Sequence, residues 1–250
     1  MRVILFLLVC GLLSGCVTET KGPLQAADRD KQLKSLVDLG IGYMREGEYA
    51  RAKESLNKAL DLEPKSPEAH DALALVFQLE QEYDDAETHF KAALKANPSY
   101  TRARNNYGAF LYDRKRYDDA IAQLKIAGED RFYNARSTVF ENLGVIYQQV
   151  GDNKAAEESF QRSIALNPDQ ARALLELADI RYGQQRYVES RELYRRYGKV
   201  AQPNAKSLWL CIRISRVFSS SNEEASCALA LKNIFPASPE YKSYQDLVGK

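Results

Sequence analysis

The sequence predicts an all-α fold: a solenoid of about six helix-turn-helix repeats, closed by a C-terminal capping helix. Three observations carry this reading. The stretch from Tyr49 to Pro64 (YARAKESLNKALDLEP) returns 34 residues later as Tyr83 to Pro98 (YDDAETHFKAALKANP). Tyr49, Ala52, Leu56, Ala59 and Pro64 match Tyr83, Ala86, Phe90, Ala93 and Pro98 in order. Apolar residues recur at spacings of three and four, the period of a helix face and not of a strand. The composition is that of a chain able to bury a core, with 28% charged and 45% hydrophobic residues. Its 35 basic against 34 acidic side chains give no electrostatic reason for a nucleic-acid partner.

The N-terminus comes first in the chain and stands outside the repeats. Residues 1–15 carry a positive charge at Arg2, an apolar run from Val3 to Val9 continuing through Leu13, and then small residues, the pattern of a secretory signal. Leu13, Ser14, Gly15 and Cys16 resemble a bacterial lipobox. That resemblance implies cleavage before a lipid-bearing Cys16; the other reading is an ordinary signal peptide with an incidental cysteine. Two acyl chains suffice for stable anchoring, and Val17, where an inner-membrane retention signal has Asp, favours the outer membrane. Residues 16–32, with Thr, Gly, Pro and Asp and little periodicity, read as a flexible tether spanning about 20 Å. With Cys10 in the signal and Cys16 lipidated, Cys211 and Cys227 remain, on what read as the two helices of one hairpin. In an oxidising compartment they are candidates for a disulfide, the other reading being two buried thiols.

The first repeat is residues 33–66: Leu39, Gly40 and Tyr43 on one helix, Gly47 at the turn, Tyr49, Ala52, Leu56 and Ala59 on the second, and Pro64 as its stop. Small residues let the two helices approach, and Tyr43 and Leu56 fill the space around that contact. The second, 67–100, repeats this with Leu73, Ala74, Phe77 and then Tyr83 to Pro98. In the third, 101–136, Tyr107, Gly108, Leu111, Tyr117, Ala120, Leu124 and Ala127 are followed by GEDRFYNARS where the proline belongs. The fourth, 137–170, matches 36 residues on through Leu143, Gly144, Tyr147, Phe160 and Pro168, so two residues are inserted before it. The fifth, 171–205, has Ser190 and Tyr197 where alanines are usual and reads as a degraded copy. The sixth, 206–239, places Trp209 and Ile212 on its first helix and Ala225 and Leu229 on its second, and 240–250 forms the cap. These residues at this period resemble the tetratricopeptide (TPR) repeat family, which implies a right-handed superhelix and puts Trp209 at the family's tryptophan position.

The TPR resemblance implies a scaffold with no chemistry of its own, not an enzyme, whose first helices line a groove for a segment of another protein. The groove-facing positions are Val37, Ile41, Met44 and Arg45 in repeat one, and Asp71, Leu75, Gln78 and Leu79 in repeat two. They continue as Arg102, Asn105, Ala109 and Tyr112, then Glu141, Val145 and Gln148, then Leu175, Asp179 and Tyr182. The apolar stripe with its flexible Met44 suits an amphipathic or hydrophobic peptide; the other reading is that Val37, Ile41 and Leu75 are packed by neighbouring helices. Asn105, Asn106 and Asn142 echo a carboxylate-clamping pattern whose lysine is missing. His70 and His89 read as structural, so no metal or cofactor is expected. Asp84 with Asp85, and Asp118 with Asp119, open second helices where carboxylates suit the helix dipole. Arg131, Phe132 and Tyr133 form either an exposed contact or a spacer that reorients the array. No phosphate loop, zinc-protease motif, dinucleotide fingerprint or nucleophile elbow occurs.

The lipobox, short tether, six repeats, proline-less third repeat and late cysteine pair together resemble the type IV pilus biogenesis lipoproteins of the PilF/PilW family, over essentially the whole chain. The resemblance implies a pilotin: a monomeric outer-membrane lipoprotein, on the periplasmic face, that binds secretin subunits and promotes their localisation or multimerisation. Two other TPR lipoprotein roles remain open, an assembly factor for outer-membrane barrels and an adaptor for peptidoglycan hydrolases.

Overall fold

A computed structural model describes residues 23–249, and these are all-α: thirteen helices and no strand. The predicted signal peptide, Cys16 and the first part of the tether lie outside the described residues. The chain divides into two compact units, one ending at Pro64 and one beginning at Lys65.

The first unit is a helical hairpin of α1 (Pro23–Arg45) and α2 (Tyr49–Leu62). Gly40 makes it possible, because a Cβ there would lie 2.5 Å from Leu56 Cγ. Helix α1 begins ten residues ahead of the expected start at residue 33, so the part of the tether from Pro23 onward is helical. The reason is legible in hindsight: Leu24 to Gln32 contains no glycine and no β-branched residue, and proline is tolerated at a first helical position. Arg29 ties this extension to the end of α2, donating to the Leu62 carbonyl and pairing with Glu63 at 3.3 Å.

The second unit stacks five hairpins and a cap: α3 (Pro67–Leu79) with α4 (Tyr83–Ala96), α5 (Thr101–Asp113) with α6 (Tyr117–Glu129), α7 (Arg136–Gln149) with α8 (Asn153–Leu166), α9 (Ala171–Gly183) with α10 (Tyr187–Val200), α11 (Ala205–Val217) with α12 (Ser221–Ile234), and then α13 (Pro239–Val248). The first four of these hairpins bury the predicted stripe, and cores run on from one hairpin to the next. One joins Phe90, Tyr107, Phe110, Leu124, Phe140 and Ile146; another joins Val145, Phe160, Leu174, Leu177, Tyr197, Leu210 and Ile214. The corner between the helices of every hairpin holds one residue at positive φ: Gly47, Gln81, Lys115, Gly151, Gln185 and Ser219. Only two are glycine, the residue that adopts this conformation without steric cost.

Repeat five is regular and not degraded. Ser190 is fully buried and donates to the Ala178 carbonyl at 2.8 Å, and buried Tyr197 donates to the Gln202 carbonyl at 2.8 Å. Repeat six needs a correction of register. Ala228 and Leu231 are buried in α12, whereas Leu229 is 60% exposed and Ala225 faces solvent. The usual order, large then small as in Phe90 and Ala93, is reversed here to small then large, so matching by size slid the pattern. By the same register Leu208 occupies the position taken by Leu174, and Trp209 sits one residue beyond it, on the groove-facing line.

Candidate peptide-binding face

The first helices of the hairpins carry the predicted groove positions, and these separate into a buried seam and an open face. Val37, Asp71, Asn105, Glu141 and Leu175 are all buried, which removes them from a ligand-accessible surface. In the second unit the reason is visible, since polar members of this line bond across to the next repeat. Asn106 Nδ2 donates to both Asp71 oxygens at 3.0 and 3.1 Å, Asn142 Nδ2 to Asn105 Oδ1 at 3.3 Å, and Gln170 Nε2 to Glu141 Oε2 at 2.8 Å. The asparagines that echoed a carboxylate clamp are therefore spent between repeats. Burial pushes the Asp71 carboxyl up to about 6, against the opposing pull of the Asn106 hydrogen bond and of Arg102. Leu75 likewise packs against the core.

In the first unit the open part of the face is Ile41 and Met44, both half-buried, and exposed Arg45. In the second unit Leu79 is exposed, and Gln78 is held by Asp113, its amide donating at 3.1 Å. Further along, Ala109, Tyr112, Val145 and Arg172 line a cavity of about 150 Å³. Beyond it the face is filled from within. Arg213 donates to Asp179 at 2.6 Å, its guanidinium carbon lies 4.7 Å from the Tyr182 ring centre, and Lys206 bonds Glu176 at 2.6 Å. Sequence reading missed this closure, yet its signal was present: Arg213 stands 34 residues after Asp179, placing opposite charges at one position of adjacent repeats. A buried arginine was also missed. Arg181, 4% exposed, occupies the aromatic position of repeat five and pairs with Glu157.

The two histidines touch each other, with Nδ1 to Nδ1 at 2.9 Å and the His89 ring stacked on Phe77. Burial and then His70 lower the His89 pKa. Among the described residues no group of three or more His, Cys, Asp or Glu is placed to hold a metal ion, and no helix is long and apolar enough to cross a membrane. Asp84 and Asp85 lie in the first turn of α4, and Asp118 and Asp119 in that of α6, where Asp119 also pairs with Arg116. Cys211 and Cys227 are joined by a disulfide across α11 and α12, S–S 2.01 Å.

Residues 34–66, 77–133 and 142–205 match models of the tetratricopeptide repeat. The chain is 41% identical over 244 residues to the type IV pilus assembly protein PilF of Pseudomonas aeruginosa, covering 97% of this chain and 96% of that one. A solved structure of Pseudomonas aeruginosa PilF superposes with a TM-score of 0.86 at 40% identity, over 88% of this chain and 99% of that one. The structure of PilW, described as a widely conserved type IV pilus biogenesis factor, superposes at 0.72 with 26% identity, over 85% and 97%. An all-α solenoid of TPR hairpins related at this level to PilF and PilW belongs to the TPR family of type IV pilus biogenesis proteins.

Proposed function

We propose that this protein is an outer-membrane lipoprotein acting as a pilotin: a non-enzymatic adaptor that binds subunits of the type IV pilus secretin and promotes their localisation or multimerisation. The observation that carries the reading is the occurrence, in one chain, of a TPR array of the pilus-biogenesis family and a lipobox-like sequence at Leu13 to Cys16. An acylated Cys16 would hold the array at the inner leaflet of the outer membrane. A groove near that anchor would then raise the local concentration of whatever it binds. The open residues Ile41, Met44 and Arg45 suit an amphipathic segment of the secretin, with Met44 adapting to its apolar side chains.

The test is to delete the gene and run the secretin on an unheated gel. Loss of multimers, or their appearance in the inner membrane, is expected; intact multimers at the normal outer-membrane level would sink the proposal. Complementation with Cys16→Ser separates anchoring from binding, and is expected to leave secretin binding intact while mislocalising the protein. Ile41→Glu is expected to do the reverse.

A further inference from the structure

The connection between α6 and α7 is longer than its counterparts. Six residues, 130–135, separate Glu129 from Arg136, whereas four separate Ala96 from Thr101 and Leu166 from Ala171. The extra length opens a cavity of about 590 Å³ bounded by α6, this connection, α7 and α8. Its floor is Phe140, which is buried, and Gly128 leaves room beside that ring, because a Cβ there would lie 3.4 Å from it. Four cations line the cavity, Lys125, Arg131, Arg136 and Arg162, against two acids, Glu129 and Glu158. The Arg136 and Arg162 guanidinium carbons lie 5.3 and 5.4 Å from the centre of the Phe140 ring. Arg136 is set in place by its Nε, which donates to the Gly128 carbonyl at 2.7 Å.

Elsewhere in this unit, three arginines that reach a neighbouring repeat meet a carboxylate: Arg116 with Glu87, Arg181 with Glu157, and Arg213 with Asp179. The four cations of the cavity form no salt bridge among the described residues. A cavity with two more cations than carboxylates, none of those cations held in a salt bridge, is complementary to an anion brought from outside. Its size lies within the range of ligand pockets, room for a few side chains. The two carboxylates select among anions, since they repel a compact, highly charged phosphate yet accept hydrogen bonds from backbone N–H groups. The buried ring beneath the arginines offers an apolar contact as well.

We infer that this cavity is a second partner site, which takes an acidic segment of a protein. It is distinct from the groove. On α7 the cavity-lining residues Phe140, Leu143 and Tyr147 form a stripe about 130° around the helix from the groove stripe of Glu141, Val145 and Gln148. The inference holds whichever protein the groove takes, and an array with two such faces can hold two partners at once.

A random hexapeptide library captured on the full chain tests it, with the bound peptides sequenced for the wild type and for an Arg131→Glu/Arg162→Glu double variant. Both arginines are exposed, so the variant is expected to keep its helix content and unfolding midpoint. The wild type is expected to enrich Asp and Glu at least fivefold over the input, and the variant to lose that enrichment. If the variant unfolds, Arg162→Gln alone replaces it and is expected to lower the enrichment at least threefold. No acidic enrichment, or the same enrichment in the charge-altered protein, overturns the inference. So does complete displacement of the captured acidic peptides by inorganic phosphate at 10 mM, about the concentration at which a simple anion site would fill.

Discussion

At the scale of single residues, the corner positions show a cost the fold bears repeatedly. Gln81, Lys115, Gln185 and Ser219 hold the left-handed conformation that Gly47 and Gly151 adopt freely. For a residue with a Cβ this costs about 1–2 kcal/mol, partly offset by the greater freedom glycine has when unfolded. Gln81→Gly and Lys115→Gly are each expected to stabilise by about 0.5–1 kcal/mol, read as a raised urea midpoint. Asp71 carries a second residue-scale prediction. Its carboxyl titrates near 6 in the folded chain against an ordinary 3.8, so the folded state binds the proton more tightly. The stability this contributes is full below about pH 4 and is lost as pH rises through 6, a change of up to about 3 kcal/mol. Asp71→Asn removes it, and the wild-type urea midpoint is expected to fall relative to that of the variant from pH 4 to pH 7. Glu87 has the opposite sign: burial works against its charge, but hydrogen bonds from Lys91, Arg116 and Tyr107 outweigh that and hold it at about 2. A wild-type curve read alone would mix the two carboxyls, which is why the difference is the measurement.

At the scale of helices and hairpins, one link recurs between repeats. Glu87 on α4 meets Arg116 ahead of α6, and Glu157 on α8 meets Arg181 at the end of α9, with Arg186 3.9 Å away ahead of α10. The 34-residue period made five of the six hairpins legible, because small and large residues alternate in a fixed order. In the sixth that order is reversed, so size alone could not set the register of Ala228 and Leu231. The early start of α1 was hidden for a different reason: a tether was inferred from Thr, Gly, Pro and Asp, although only the residues before Pro23 hold the Thr and Gly. The last hairpin also carries the disulfide, which closes a loop of 16 residues and so contributes about 3 kcal/mol by constraining the unfolded chain. Reduction, or Cys211→Ala with Cys227→Ala, is expected to destabilise α11, α12 and α13 first. Hydrogen exchange would show protection lost there while α3 to α8 keep theirs.

At the scale of the whole molecule, the fold was legible and the exposure of the predicted groove positions was legible only in part. Helical period places a residue on a face, and it placed Ile41, Met44 and Arg45 on one that remains open. It does not say that the next repeat's side chain will cover that face. That is why Asp71, Asn105 and Glu141 went unrecognised as a seam, and why Asp179 and Tyr182 were not seen to be occupied by Arg213. Gly144→Val would test the scaffold independently of any partner. A Cβ at this position comes within 2.5 Å of Phe160, and the overpacking is expected to cost about 1–3 kcal/mol and to lower the thermal midpoint. The long connection after α6 has one more consequence. Phe132, 95% exposed upon it, offers chymotrypsin an accessible bond in the middle of the array. Yet Leu124 and Ala127 before that bond share a core with Val139, Phe140 and Ile146 after it. A cleaved chain is therefore expected to run as two fragments on a denaturing gel and to elute as one species from a sizing column. The two pieces could then be made separately and rejoined by mixing, each carrying its own label.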